Sequence, residues 1–547
     1  MKEGKNMNIL ITVSVIVLVL AIGFLTYTMR DCLAKWQQIL TALSLLFLTF
    51  FEFFRLGNVP GLFGDEAYAM YDSWAIAHYG VDRHLMHNAV YSLTSGGQSV
   101  LYEHLTVPLM KAFGMDVTAF RFPMALLTTI SIIVLIYALY RNKINPNVIA
   151  GIAFTMSTAQ WLLMYCHWAM DCSVIVPMFI LTIDFILLGL AGKKYHLYIG
   201  FILMALLAYC YIGAWIALPF MYVFTLFFLK KKEKISKKDI IALVIISLII
   251  LVPILSYTAV QFLGLPAFKF LWFSVAPLPA TRAANSLISF KGNVLNTIIS
   301  NITAGLSTLA TGAVNNSTSS YTSIPKYQLF YLINFIFLIY AIVKIWKNRK
   351  QNSDSINYLI GVSLTMLPII ILAQSGFWHW PTVYILTSLW SGIGLGLFFE
   401  NSSHKAFKIL ILGLLLIETG LFTGYYFGNY THDEIKANQL GGYSIDVKQS
   451  KHFINELKKL KVDTYYGMPF FNESYMGCLI PTNPHDLNNL DGKWQSNNLP
   501  NTIQPGSAAY IVPADQVNNY PNLQSLPSKK MEVNYVKYVV FYNQNNN

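Results

Sequence analysis

The chain has 547 residues, of which 55% are hydrophobic and only 12% are charged, and its mean hydropathy is +0.48. Soluble globular proteins carry about 25% charged residues, so this composition excludes a soluble enzyme, a secreted disulfide scaffold and a disordered chain. The formal net charge is +12, but the Lys and Arg residues lie mostly between apolar runs, so we expect no nucleic-acid partner. The five cysteines show no metal-binding spacing.

Twelve apolar runs in chain order predict an all-α polytopic membrane protein with about twelve spanning helices. These runs cover residues 8–28, 37–55, 119–140, 147–166, 172–191, 197–212, 214–229, 240–260, 328–346, 356–374, 382–400 and 406–427. The connections assigned to the inner side hold most of the basic residues, which predicts that both termini lie outside. We expect a multi-pass protein of a bacterial plasma membrane, with the endoplasmic reticulum as the alternative.

Three segments on the outer side are too long to be simple turns: 56–118, 261–327 and the tail from 428. The first should form an amphipathic helix along the membrane interface. The second, which is rich in aromatic residues, should form either a lid or a helix lying on the interface. The tail becomes polar and predicts a small α/β domain at 431–547, after a transmembrane domain at 1–430. We therefore expect the protein to act at the extracytoplasmic face.

Two acidic positions on this outer side are candidates for chemistry. Asp65 and Glu66 directly follow the second apolar run, and Asp171 lies in the short connection after the fourth. Carboxylates at a membrane surface carry a desolvation cost that suggests a function, and partial shielding tunes a carboxylate toward general-base chemistry. The alternative is that Asp65 and Asp171 cap the helices that follow them. A further acid, Glu52, should pair with Arg55 one helical turn away.

The sequence around these acids resembles a known family. The runs FGDEAYAMYDSWAIAHYGVDRHL and GGQSVLYEHLTVPLMKAFGM are similar to the first outer loop of bacterial GT-C glycosyltransferases. These enzymes are related to the protein O-mannosyltransferases and the lipid A aminoarabinose transferase. A later run, STAQWLLMYCHWAMDC, aligns Asp171 with the second acid of the family. It departs from the family where Cys166 and His167 replace a Ser-Arg pair, and the run SGFWHWP lacks the family's Asn-Arg motif.

The resemblance implies the GT-C fold and an inverting transfer from a polyprenyl-phosphate-linked sugar to a glycan, lipid or protein acceptor. It implies Asp65 as the base, with Glu66 and Asp171 orienting the acceptor or supporting Asp65. A divalent cation shared by Asp65 and Asp171 is left open, and no other cofactor is expected. The residues expected to bind the donor phosphate or the substrate are Arg83, His84, Gln98, Tyr102, His167 and Lys269. Other cationic candidates on the outer side are His87, Arg282, Lys291, Lys326 and His379.

Two other functions are compatible with the sequence. A transporter or lipid flippase would have repeated halves and helices broken near the middle of the membrane. A non-catalytic relative of the glycosyltransferases would instead assemble other envelope enzymes. The long outer segments favour the transferase over both.

Overall fold

The structure is a computed structural model. It describes residues 2–278, 286–289, 291–311, 327, 329–402, 404–437, 444–468, 473–487, 493–495 and 499–544. Two of the candidate cations, Arg282 and Lys326, lie outside the described residues.

The chain divides into two compact units, each built from several segments. Unit 1 comprises Met1–Phe54, Ala89–Leu105 and Arg121–Gly424, and unit 2 comprises Arg55–Asn88, Thr106–Phe120 and Tyr425–Asn547. The division expected at residue 430 placed the whole of the first outer loop in the transmembrane domain. In the structure, the parts of that loop in Arg55–Asn88 and Thr106–Phe120 belong to the same unit as the tail.

Helices dominate the described part of the chain. In order they are α1 Lys2–Thr28, α2 Lys35–Phe53, α3 Gly64–Tyr79, α4 Leu101–Phe113, α5 Val117–Arg141, α6 Pro146–Thr158, α7 Gln160–His167, α8 Ile175–Ala191, α9 Tyr195–Leu206, α10 Leu218–Lys231, α11 Lys237–Leu263, α12 Val294–Thr311, α13 Leu332–Lys347, α14 Asp354–Thr365, α15 Leu367–Leu372, α16 Pro381–Asn401, α17 Lys405–Tyr425, α18 Thr431–Ala437, α19 Val447–Lys458 and α20 Glu473–Leu479. A π-helical turn, Tyr426–Tyr430, joins α17 to α18.

Each of the twelve predicted spans contains a helix. Among the described residues, seven helices are long and apolar enough to cross a membrane, and an eighth span results if α6 and α7, bent by 50°, are counted together. Helices α8, α9, α10 and α13 have only 12 to 17 residues, whereas about 20 are needed to cross the hydrocarbon core. The chain is a multi-pass membrane protein.

Glycines allow three helices of unit 1 to pack closely. Added side chains at Gly151 of α6 and at Gly392 or Gly396 of α16 would collide with the backbone of the other helix. Gly394 of α16 makes the same kind of approach to the backbone of α13 at Phe337. Small residues let helix backbones meet in a membrane, where van der Waals packing drives association. Around these helices lies an apolar core that includes Phe154.

Glu52 and Asp184 are buried acidic side chains of unit 1. Neither carboxylate oxygen of Glu52 has a hydrogen-bond partner among the described residues. The predicted pair with Arg55 is wrong, because Arg55 leaves the helix with a positive φ of 55° and donates its guanidinium to the carbonyl of Phe427. Both carboxylate oxygens of Asp184 in α8 also lack a hydrogen-bond partner in the described part of the chain.

Eleven short strands are present among the described residues. They are β1 Leu62–Phe63, β2 Tyr91–Ser92, β3 Gln98–Ser99, β4 Phe268–Phe270, β5 Phe273–Val275, β6 Ser444–Ile445, β7 Thr464–Tyr466, β8 Trp494–Gln495, β9 Ala508–Pro513, β10 Ser528–Val533 and β11 Val536–Asn543. The aromatic stretch directly after α11 forms the β4–β5 hairpin, and a helix, α12, follows later in the same outer segment. The alternating Phe268 and Phe270 of the hairpin fit a strand period of two.

Unit 2 contains the sheet predicted from the tail. Its strand order is β10-β11-β9-β7-β8, with antiparallel pairing from β10 to β9 and parallel pairing from β9 to β8. The amphipathic helix α19 buries Phe453 and Leu457, and Phe453 contacts Tyr538 of β11. The small α/β domain expected in the tail is present.

Candidate active site

A two-stranded ladder sets the start of α3 in unit 2. Leu62 and Phe63 of β1 pair antiparallel with Ile445 and Ser444 of β6. Gly61 precedes this ladder, and an added side chain there would press against Ser444. The helix then begins at Gly64, so the tail positions the first turn that carries the acidic pair.

Asp65 and Glu66 lie in the first turn of α3, where the helix dipole favours negative charge. Asp65 is half-buried and Glu66 is fully buried. The N-cap residue is Phe63, so the alternative in which Asp65 caps the helix is wrong. Asp65 therefore combines partial access to solvent with the shielding that general-base chemistry requires.

Helix α3 is covered along one side by α20. The Cys478 thiol donates to the carbonyl of Ala67 at 3.1 Å, and the Tyr71 hydroxyl donates to the carbonyl of Thr482 at 2.6 Å. Gly477 lies against the Tyr71 ring, where a side chain would collide. The apolar face that predicted an interfacial helix is thus occupied, at least in part, by protein from the same unit.

Two side chains from the tail lie near the acidic pair, and the sequence analysis missed both. Glu434 of α18 is buried. The Tyr475 hydroxyl of α20 is also buried and has no hydrogen-bond partner among the described residues. Burial, and then the charges of Glu434, Asp65 and Glu66, raise the pKa of Tyr475. Glu434 follows a membrane span as Asp65 does, so the criterion that selected Asp65 would also have found it.

Arg83 is held by Asp72, which the sequence analysis did not single out. The Arg83 guanidinium donates through Nε and Nη2 to the Asp72 carboxylate at 3.0–3.2 Å, and the Arg83 backbone N–H donates to the same carboxylate at 2.9 Å. The guanidinium carbon lies 3.8 Å from the centre of the Tyr68 ring. Both charged side chains are buried. This geometry favours a positioning role, in which Arg83 ties the loop after α3 back to the helix.

Asp82 organises the turn that contains Arg83 and His84. One oxygen, Oδ1, accepts the backbone N–H groups of His84 at 2.8 Å and Met86 at 2.9 Å. The other oxygen is buried and has no hydrogen-bond partner among the described residues. Burial, and then the charge of Asp72, raise the pKa of Asp82 to about 7. Partial burial and the charge of Arg83 lower the pKa of His84, which favours a neutral imidazole.

The raised pKa of Asp82 predicts a pH-dependent stability. Between the ordinary value of 3.8 and about 7, the folded state binds more protons than the unfolded state, so the free energy of unfolding should fall as pH rises through this window. In Asp82→Asn this fall should be reduced, because the amide keeps an acceptor for His84 and Met86 and does not titrate. Thermal unfolding of purified protein from pH 4 to 8 measures the effect. Asp515→Asn, at an exposed site, is the control, and an unchanged pH slope in Asp82→Asn would contradict the assignment.

Asp171 is the acidic candidate of unit 1. It is buried, and its Oδ2 accepts the backbone N–H of Ser99 at 3.1 Å. The Ser99 hydroxyl donates to the carbonyl of Cys210 at 2.7 Å. Ser99 lies in β3, which pairs with β2. The structure thus brings Asp171 onto the GGQS stretch, which the resemblance singled out independently.

The remaining candidates of unit 1 differ in exposure. Gln98, Tyr102 and His167 are fully buried, and the His167 ring, at the end of α7, meets Phe51 edge-on at 5.8 Å. Lys269 is exposed on β4. His379 forms a 2.7 Å hydrogen bond through Nδ1 with the hydroxyl of Tyr211.

The two carboxylates expected to share a cation, Asp65 and Asp171, belong to different units. Within the described ranges, no group of three or more His, Cys, Asp or Glu side chains is arranged to hold a metal ion. The shared cation stays a prediction.

The bundle of unit 1 and the small α/β domain of unit 2 follow the architecture of the GT-C membrane glycosyltransferases. Among solved structures, the chain is similar to ArnT from Cupriavidus metallidurans bound to undecaprenyl phosphate, with a TM-score of 0.52 and 12% sequence identity over 94% of this chain and 99% of that chain. This similarity confirms the predicted GT-C fold. The archaeal oligosaccharyltransferase AglB from Archaeoglobus fulgidus, in complex with an inhibitory peptide and a dolichol-phosphate, matches with a TM-score of 0.45 and 12% identity over 78% of this chain and 60% of its own. No protein-family model and no curated protein matches the chain.

Proposed function

We propose that this chain is a membrane glycosyltransferase that transfers a sugar from a polyprenyl-phosphate donor to an acceptor at the extracytoplasmic face. The observation that carries the proposal is the acidic pair Asp65–Glu66 in the first turn of α3, in a chain with the GT-C fold. The ArnT structure with that fold contains undecaprenyl phosphate, which supports a donor of the same class. The acceptor is a glycan, a lipid or a protein.

The proposed reaction is a single displacement. The acceptor oxygen attacks the anomeric carbon, the bond from that carbon to the phosphate oxygen breaks, and polyprenyl phosphate leaves with the electron pair. Asp65 takes the acceptor proton, because it is the half-buried member of the acidic pair. Glu66 and Asp171 support this base or orient the acceptor, and Gln98, Tyr102 and His167 bind substrate.

The donor phosphate needs positive charge or hydrogen-bond donors. The charge of Arg83 is balanced by Asp72, so we assign Arg83 to positioning. Lys269, which is exposed, and His84 remain the proposed phosphate-binding groups. Glu434 and Tyr475 extend the acidic site from the side of the tail.

Transport of a lipid is the second candidate, because the 50° bend between α6 and α7 interrupts a span. Discontinuous helices near the middle of the membrane are typical of transporters. A flippase would move a sugar-linked lipid across the bilayer intact, whereas a transferase cleaves it.

The test is to supply a panel of polyprenyl-phosphate sugars to sealed membranes that contain the protein, with and without a chelator. We expect one donor to be cleaved to polyprenyl phosphate and its sugar to appear on an acceptor. This transfer should occur only when the donor is supplied to the extracytoplasmic face. Loss of transfer on chelation, with restoration by a divalent cation, would establish the cation. Translocation of an intact donor would favour the flippase, and a panel left wholly uncleaved would contradict the transferase.

A further inference from the structure

A polar cavity of about 660 Å³ lies within unit 1, against helix α12. Small-molecule pockets have volumes of about 300–1,000 Å³, so the cavity can hold a small ligand. It is lined by Ile288, Ser289, Asn296, Thr297, Ser300, Asn301, Ala304, Thr308, Gln374 and Ser375. Most of these side chains carry a hydroxyl or an amide, and none of them is charged.

The cavity has walls held together by hydrogen bonds. The Asn301 side chain donates to the carbonyl of Ala373 at 2.8 Å and accepts the backbone N–H of Ser375 at 2.7 Å. A second wall, 286–289, pairs with the same segment, because Ile288 N–H donates to Leu372 and Gln374 N–H donates to Ser286, both at 2.9 Å. The backbone around the cavity is therefore fixed from two sides.

Helix α12 has two chemically different faces. Leu295, Ile299 and Leu306 form an apolar face with more than half of each side chain exposed, as expected for a helix that rests on a lipid surface. Polar Asn296 and Ser300 lie on the other face, line the cavity and are exposed there. On the buried side of the helix, Gly305 lies directly against the Trp380 ring.

Among the residues that the structure describes, the lining has no charged side chain and few apolar ones, so it does not match two of the ligand types that a lipid-linked sugar donor would bring. A phosphate would be met by Arg, Lys or several backbone N–H groups, and an isoprenoid chain would be met by apolar side chains. Amides and hydroxyls without charge instead match the donors and acceptors of sugar hydroxyl groups.

We propose that this cavity binds an uncharged saccharide. The described residues that line it do not include Asp65, Glu66 or Asp171. The role of the occupant rests on the proposed function: in a glycosyltransferase it is the glycan part of the acceptor or the sugar of the donor.

Saturation-transfer-difference NMR tests the proposal on the full-length protein in phospholipid nanodiscs, because maltoside detergents would supply competing sugar. The probes are methyl α-D-mannopyranoside, methyl β-D-glucopyranoside and methyl N-acetyl-β-D-glucosaminide, with glucose 6-phosphate and glucosamine as charged comparisons. We expect at least one neutral glycoside to give a signal and the charged sugars to give a much weaker one. Because no donor lipid is present, this result is independent of whether the protein transfers sugar.

Two kinds of variant locate the binding. Ala304→Leu fills the cavity and should abolish the neutral-glycoside signal, and Asn296→Ala combined with Ser300→Ala should weaken it severalfold without filling the space. Thr303→Leu, at an exposed position of the same helix outside the lining, should keep the signal. Equal unfolding temperatures would show that the variants are folded.

Competition in the transfer assay then shows whether the saccharide belongs to the acceptor or to the donor. The bound glycoside should raise the KM of the acceptor in the first case and the KM of the donor in the second. The proposal is overturned if no neutral glycoside binds, if the phosphorylated sugar binds better, or if binding survives Ala304→Leu in folded protein.

Discussion

Asp65→Asn is expected to lower the rate of sugar transfer at least a hundredfold while leaving the amount of folded protein unchanged. General-base catalysis contributes about 10²–10⁴-fold to a rate, and the amide keeps the size of the carboxylate but cannot take the acceptor proton. Asp65 is only half-buried in the first turn of α3, so the neutral side chain should cost little stability. The measurement is the initial rate of transfer, with expression and unfolding temperature recorded beside it.

Asp515→Asn is the matched control for Asp65→Asn, since it makes the same change at an exposed position of the same unit. It should transfer sugar at the rate of the unmodified protein. Full activity in Asp65→Asn would remove Asp65 as the base. Full activity in Asp65→Asn together with a large loss in Glu434→Gln would instead assign proton transfer to the tail.

Arg83→Ala should destabilise the protein strongly, because it leaves the Asp72 carboxylate buried without its cation. Removing one partner of a buried ion pair costs about 3–5 kcal/mol, and both side chains here are at most 3% exposed. The main effect of the variant should therefore be on stability, with any loss of donor binding following from it. Thermal unfolding of the purified variant measures this effect.

The combined variant Asp72→Asn, Arg83→Gln tests whether the loss comes from the unpaired charge. It should be more stable than Arg83→Ala, because neither buried side chain is then charged. Arg30→Ala is the exposed comparison, since Arg30 and Asp31 form a surface pair at 3.6 Å, and it should change the unfolding temperature little. If Arg83→Ala has normal stability but binds the donor more weakly, Arg83 binds the donor phosphate and the positioning role is wrong.

Hydropathy alone was sufficient to predict where the chain is helical in the membrane. The apolar runs are long, and a membrane leaves the backbone few alternatives to a helix. The same method could not predict that α6 and α7 are bent by 50°, since such an interruption depends on packing against other helices. The β4–β5 hairpin was also missed, although its alternating aromatic residues carried the signal.

The sequence predicted only some of the residues of the candidate site. The acids Asp65 and Glu66 were visible because they interrupt an apolar sequence, and the resemblance added Asp171. The Asp72–Arg83 pair joins residues that are close in sequence, yet periodicity does not say that both charges are buried. Glu434 and Tyr475 are separated from Asp65 by more than 360 residues, so no local pattern could place them beside it.

The β1–β6 ladder makes the geometry of the acidic pair dependent on a segment near the end of the chain. Two residues of the loop, Leu62 and Phe63, have their backbone partners at Ile445 and Ser444. A protease cut or a premature stop ahead of Ser444 would leave the membrane helices intact but remove the strand that anchors Asp65. Inactive fragments of this kind would still insert into membranes, so loss of activity after shortening is not evidence that the tail itself contacts substrate.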